Sequence, residues 1–131
     1  TRRSSDLATS NICSNQALNA LAASIYMITM GKQGLKEVAT LSAQKAHYAF
    51  NQMVAAGYKP LFNRPFFKEF AVQSPVAPSV ANQEMQKNGF SGGYALGNEY
   101  PQYQNGLLFA VTEKRSKDEI DQLVRVLGGV R

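Results

Sequence analysis

The sequence predicts an α+β fold in which a small, mostly antiparallel sheet of about three strands is covered by helices. Apolar residues recur at helical spacing in four segments and in strand-like runs in three short ones. These segments follow the order helix, helix, strand, strand, helix, strand, helix, which suits a layered α+β arrangement. The composition, with 44% hydrophobic and 18% charged residues over 131 positions, is that of a globular domain. We therefore expect residues 1–131 to form a single domain.

A first helix is predicted along Ala17 to Met30, where alanines fill much of the surface. Its large apolar residues recur at helical spacing: Leu18, Leu21, Ile25 and Ile28. A helix that is apolar nearly all round is usually buried on several sides, so this one indicates a missing neighbour. The run is too short for a comfortable membrane span, and no signal peptide is visible. Gly31 and Gly34 are expected to break the helix.

The middle of the chain predicts a second helix followed by two strands. The helix runs from about Leu35 to Ala56, and Gly57 suits the position just after its end. The strands are Tyr58 to Phe62 and Phe66 to Gln73. Phe66, Phe70 and Val72 are expected on one face of the second strand, together with Lys68.

The remaining elements are a short helix, one strand and a final helix. Ser79 is expected to cap a helix over Val80 to Asn88. Phe90 to Tyr103 is rich in glycine and tyrosine and shows no long periodic run. Leu107 to Thr112 is the clearest strand. Ser116 and Glu119 have the spacing of a capping box, which predicts the start of the last helix.

Composition and motifs argue against most self-contained functions. The formal charge of +5 comes from lysines and arginines spread along the chain, which favours ordinary solvated surface over a nucleic-acid site. One cysteine, Cys13, allows no internal disulfide and fits a reducing, cytoplasmic compartment. With one histidine, His47, it leaves no zinc cluster, so no metal site is expected. No phosphate loop or nucleophile elbow is present, and every lysine lies in a polar context that does not suit a Schiff base.

Thr9, Ser10 and Asn11 form the most suggestive segment because they lie just before the first strong helix. Hydroxyl and amide groups beside the free N–H groups of a helix start form an anion site that suits a phosphate. The alternative is ordinary helix capping, which Ser, Thr and Asn perform in most helices. The residues alone leave both possibilities open.

Three segments of the sequence resemble stretches of one known protein family. Ala8 to Leu18 is similar to the Ala-Thr-Ser-Asn-Ile-Cys-Thr-x-Gln run of the glycine cleavage system P-protein family, whose members use pyridoxal phosphate (PLP). Gly92 to Gly97, with Tyr100-Pro101, resembles a glycine-rich stretch near the end of its chains. Val111 to Asp121 is similar to the closing Val-Thr-Glu-Lys-Arg-Thr-x-x-Glu-Ile-Asp segment. The matches keep their order and span nearly the whole chain, with subunit 1 of the two-subunit form as the best match.

The resemblance implies the C-terminal small domain of a fold-type-I PLP enzyme, with residues 1–13 arriving from a missing large domain. The full enzyme, glycine dehydrogenase (decarboxylating), releases CO₂ from glycine and transfers the aminomethyl group to the lipoyl arm of H-protein. Its PLP lysine belongs to subunit 2 of a heterotetramer, so no residue of this chain is expected to be catalytic. Thr9, Ser10 and Asn11 are expected to bind the phosphate of PLP held by that subunit. The family usually has Arg-x-Lys before this motif, whereas Ser5-Asp6-Leu7 stands here.

Two hypotheses remain at this point. The first is a supporting and subunit-interface domain of the glycine-decarboxylating enzyme, inactive when isolated. The second is a non-enzymatic basic α+β module that binds RNA or protein, which requires basic and aromatic residues on one sheet face. Alternation places Phe66 and Phe67 on different faces and only Lys68 adds charge there, so core packing explains these aromatic residues better.

Overall fold

The computed structural model describes residues 16–130, which form three α-helices and a four-stranded sheet. In chain order the elements are α1 (Ala17–Ala55), β1 (Lys59–Pro60), β2 (Glu69–Gln73), α2 (Pro78–Lys87), β3 (Tyr94–Ala95), β4 (Gly106–Ala110) and α3 (Lys117–Gly128). Two short 3₁₀ turns, Leu96–Asn98 and Pro101–Tyr103, lie between β3 and β4. The α+β prediction is confirmed.

Helix α1 is interrupted at Gly31, whose φ of 61° and ψ of −178° are not helical. A side chain at a positive φ is unfavourable, so glycine permits this break. The predicted interruption is therefore confirmed at Gly31 and is wrong at Gly34, which lies inside the helix. By backbone proximity the chain divides into two units, Thr1–Leu35 and Lys36–Arg131. The sheet, α2 and α3 belong to the second unit.

All four strands pair antiparallel in the order β1-β2-β4-β3. Strand β3 was not predicted, because its two residues are too few to show a periodic pattern. Strand β2 starts at Glu69 and not at Phe66, since the carbonyl oxygen of Phe66 lies 3.0 Å from His47 Nε2 instead of joining the sheet. Strand β1 is shorter than predicted, and Pro60 has no N–H to donate.

The main core lies between one face of the sheet and the three helices. Phe70 pairs with Phe109 and Val72 with Leu107 across β2 and β4, so these four side chains share a face. They pack in one cluster with buried residues of the helices: Ala46, Ala49, Met53, Ala81, Met85, Ile120 and Leu127. Burying a large apolar side chain contributes about 1.5–3 kcal/mol, so this cluster is the main source of stability in the second unit.

The starts of α2 and α3 differ in their capping. The Ser116 hydroxyl accepts a hydrogen bond from Glu119 N at 3.1 Å, and Glu119 Oε2 accepts one from Ser116 N at 2.7 Å. This confirms the predicted capping box. The prediction that Ser79 caps the short helix is wrong: α2 starts at Pro78, and its N-cap residue, Ala77, makes no side-chain cap. Proline at the first position has a φ already suited to a helix.

Candidate functional site

The predicted phosphate-binding residues Thr9, Ser10 and Asn11 lie outside the described residues, as does Cys13. Their roles stay predictions. What the structure does describe is the helix that follows them, together with the two later segments that carry the family resemblance.

The first half of α1 presents an apolar surface to solvent. Residues 16–29 are all exposed, and residues 16–31 include no charged side chain. We call residues 17–30 the uncharged helix segment. Its large apolar side chains are 49–81% exposed: Leu18, Leu21, Ile25, Tyr26, Met27 and Ile28. Exposed apolar surface of this extent marks an interaction surface in a soluble protein.

Two hydroxyl side chains in the uncharged helix segment, Ser24 and Thr29, donate hydrogen bonds within the helix. The Ser24 hydroxyl donates to the carbonyl oxygen of Ala20 at 2.8 Å, and the Thr29 hydroxyl donates to that of Ile25 at 2.8 Å. Because each hydroxyl donates to a carbonyl oxygen of its own helix, it does not need a hydrogen bond to water. Ser24 and Thr29 can therefore be covered without losing a hydrogen bond, which agrees with the missing neighbour expected from the sequence of the segment.

The glycine-rich segment beginning at Gly92 is held in place by Asn82 of α2. The Asn82 Nδ2 group donates to the Gly93 carbonyl oxygen at 2.9 Å, and Asn82 Oδ1 accepts from Gly93 N at 3.0 Å. Gly92 has a φ of 87°, and a Cβ on Gly93 would lie 2.9 Å from the Phe109 ring. The lack of a side chain at Gly93 thus allows the backbone to pack directly against the Phe109 ring just before β3 begins.

The third resembling segment, Val111 to Asp121, is tied to the second half of α1. The buried Ser42 hydroxyl accepts from Glu113 N at 3.1 Å and lies 3.2 Å from Glu113 Oε2. Lys45 Nζ donates to the Glu113 carbonyl oxygen. These contacts fix the loop between β4 and α3 against α1. Glu113 of this motif therefore has structural partners on α1.

A second contact group lies further along α3. The Tyr48 hydroxyl donates to Asp121 Oδ1 at 2.5 Å, and Lys117 Nζ lies 2.5 Å from Asp121 Oδ2. The hydrogen bond from Lys117, followed by that from Tyr48, lowers the pKa of Asp121. The Asp121 carboxylate in turn raises the pKa of Lys117. Asp121 therefore links α3 to α1 through its hydrogen bond with Tyr48.

The structure describes the surroundings of the lysines and of His47. All eight lysines lie there and none is buried, so the dry pocket that a Schiff-base lysine needs is absent from these residues. His47 stacks on Phe66 with ring centroids 4.1 Å apart, as expected for a packing residue. No cluster of potential metal ligands occurs among residues 16–130.

Comparison with known proteins identifies the family. The chain matches the family described as the glycine cleavage system P-protein over residues 2–127. It belongs to that family. A P-protein relative described as probable glycine dehydrogenase (decarboxylating) subunit 1 from Carboxydothermus hydrogenoformans is 54% identical over 95% of this chain. The corresponding protein of Anoxybacillus flavithermus is 53% identical over 94% of the chain.

A solved P-protein structure has the same fold. The crystal structure of glycine decarboxylase (P-protein) of the glycine cleavage system, in inhibitor-bound form, matches with a TM-score of 0.82 at 34% identity and covers 95% of this chain. The chain spans 28% of the length of that structure and of the relatives it matches. Membership of the P-protein family gives no support to the non-enzymatic binding module. No helix among residues 16–130 is long and apolar enough to cross a membrane.

Two features of the site were not visible in the sequence. Asn82 showed no pattern that distinguishes it from any exposed helical asparagine, because its partner lies eleven positions away. The Tyr58 hydroxyl is fully buried and has no hydrogen-bond partner of regular geometry among the described residues. Burial raises its pKa, an effect that the nearby Ser74 hydroxyl opposes.

Proposed function

We propose that this chain is the C-terminal small domain of subunit 1 of a two-subunit glycine dehydrogenase (decarboxylating). In the whole enzyme it supports a reaction in which glycine loses CO₂ and its aminomethyl group passes to lipoyl H-protein in the cytoplasm. The observation in the structure that supports this role is the uncharged helix segment, since a complete free-standing domain would not expose it. The 131-residue chain on its own is expected to be inactive.

The uncharged helix segment is proposed to pack against the part of subunit 1 that this chain lacks. The chain spans 28% of its subunit 1 relatives, so nearly three quarters of their length remains to supply a neighbour. Six large apolar side chains stand exposed on the segment. Covering each of them contributes about 1.5–3 kcal/mol, which is enough to fix one domain on another.

PLP is proposed to be held mainly by subunit 2, with the phosphate contacted by Thr9, Ser10 and Asn11. When bound, PLP supplies an electron sink for the bond cleavage at glycine. The exposed or half-exposed state of all eight lysines supports placing the covalent attachment on another chain. The contribution of Thr9, Ser10 and Asn11 is to donate hydrogen bonds to the phosphate and so to orient the cofactor.

A chimaeric subunit tests the proposal. Residues 1–131 replace the matching segment of the Carboxydothermus subunit 1, and the chimaera is mixed with subunit 2, PLP and lipoyl H-protein. We expect glycine-dependent exchange of CO₂ to be restored. Ile25→Asp should abolish the restored exchange because it places a charge where the uncharged helix segment packs against the rest of subunit 1, whereas Asn51→Asp, exposed on the same helix, should not. An inactive chimaera that still assembles would refute the supporting role.

The phosphate contact is tested separately in the same chimaera. The double variant Thr9→Ala with Asn11→Ala should weaken PLP binding while leaving assembly with subunit 2 intact. If PLP affinity and the exchange rate both stay unchanged, these residues only cap the helix.

A further inference from the structure

A cavity of about 300 Å³ opens between the end of α2, the end of β4 and the start of α3. Its inner wall consists of apolar residues that are at least nine-tenths buried: Ala49, Met85, Phe109, Val111 and Ile120. Small-molecule sites in proteins have volumes of about 300–1,000 Å³. This cavity therefore suits a small ligand with one apolar group.

The lining of the cavity includes one cation and one anion, Arg115 and Glu119. Arg115 Nη1 lies 3.6 Å from Glu119 Oε1, and both side chains are about half exposed. The capping box holds Glu119 in place through its other carboxylate oxygen, Oε2. The Arg115 side chain has five N–H donors and makes no shorter contact within the described residues, so most of them remain free for a ligand.

Glu119 keeps its negative charge at neutral pH. The hydrogen bond from the Ser116 backbone is the main cause that lowers the pKa of Glu119, and the positive charges of Arg115 and Lys45 lower it further. Gly89, Ser91 and Gly92 also line the cavity. A carboxylate, a guanidinium and an apolar floor therefore meet at one opening.

We propose that this cavity binds a free α-amino acid with an apolar side chain. The ligand carboxylate pairs with Arg115, its ammonium group pairs with Glu119, and its side chain fills the cavity. A simple carboxylic acid would meet the negative charge of Glu119, and a simple amine would meet the positive charge of Arg115. A zwitterion matches both groups at once, because each of its charges then meets the opposite charge at the mouth. The inference does not depend on the proposed function.

Methyl NMR on the 131-residue chain tests the proposal with L-leucine as the probe. Saturable shifts are expected at Val111, Ile120 and Leu123, which line the cavity, and not at Val72, which does not. Arg115→Gln should raise the Kd about tenfold, as expected for the loss of one charged partner. Glu119→Gln should do the same, and glutamine can still complete the capping box. Arg125→Gln on α3, outside the cavity lining, is the matched control and should leave the Kd unchanged.

Ligand analogues separate the three contacts on the wild-type chain, without any variant. N-acetyl-leucine lacks the ammonium charge, leucine amide lacks the carboxylate, and glycine lacks the apolar side chain. Each should bind at least about tenfold more weakly than L-leucine. Equal binding of N-acetyl-leucine, or no saturable shift at Ile120 with L-leucine, overturns the proposal. Equal Kd values for Arg115→Gln and Arg125→Gln also overturn it.

Discussion

Replacing Asn82 by alanine should destabilise the chain by about 1–5 kcal/mol. The substitution removes both hydrogen bonds to Gly93, a buried residue, and so leaves its N–H and C=O groups without partners. Each buried polar group that loses its partner costs about 1–3 kcal/mol. Alanine is a better helix former than asparagine by less than 1 kcal/mol, which offsets a small part of the loss.

Urea unfolding monitored by circular dichroism measures this effect. Gln83→Ala is the matched control, since Gln83 is the exposed neighbour on the same helix and makes no side-chain hydrogen bond within the described residues. The control should change the free energy of unfolding by less than about 0.5 kcal/mol. If Asn82→Ala falls within that same range, the two hydrogen bonds do not hold the glycine-rich segment and the reasoning is refuted.

Three further predictions concern single polar groups. Tyr58→Phe should leave the thermal midpoint unchanged or raise it, because it removes a buried hydroxyl that has no regular partner; a fall of several degrees would contradict this. Ser116→Ala should cost about 1 kcal/mol in urea unfolding through loss of the capping box, and an unchanged midpoint would count against it. The pKa of Asp121 in the folded chain lies below its ordinary value of 3.8. Its contribution to the free energy of unfolding is therefore complete above pH 3.8 and is lost as the pH falls through the lower folded pKa. Urea midpoints of wild type and Asp121→Asn should therefore converge in acid, and parallel curves would exclude the effect.

Local signals predicted the helices well because their causes are local. The capping box needs only Ser116 and Glu119, three positions apart, and both bonds form as expected. Gly57 has a φ of 102°, the left-handed conformation predicted for the residue after a helix. Strand ends were less predictable because tertiary contacts decide them. Phe66 lies outside β2 because its carbonyl oxygen contacts His47 Nε2 and its ring stacks on the His47 ring.

The site could be predicted only in part, for a related reason. The apolar character of Leu18 to Ile28 is a property of the sequence itself, and it already indicated a missing neighbour. The role of Asn82 depends on a partner brought near by the fold. The pairing of Tyr48 with Asp121 joins residues 73 positions apart, and no local pattern marks such a contact.

Hydrogen exchange in the uncharged helix segment tests the central claim most directly. Exchange of the backbone amides of residues 17–30 is compared between the 131-residue chain and the chimaeric subunit assembled with subunit 2. If the segment packs against the rest of the enzyme, its amides should exchange much more slowly in the assembly. Amides around Ala49, already in the core of the chain, serve as the internal reference. Equal exchange rates for residues 17–30 in both samples would contradict the claim that this helix is an interface.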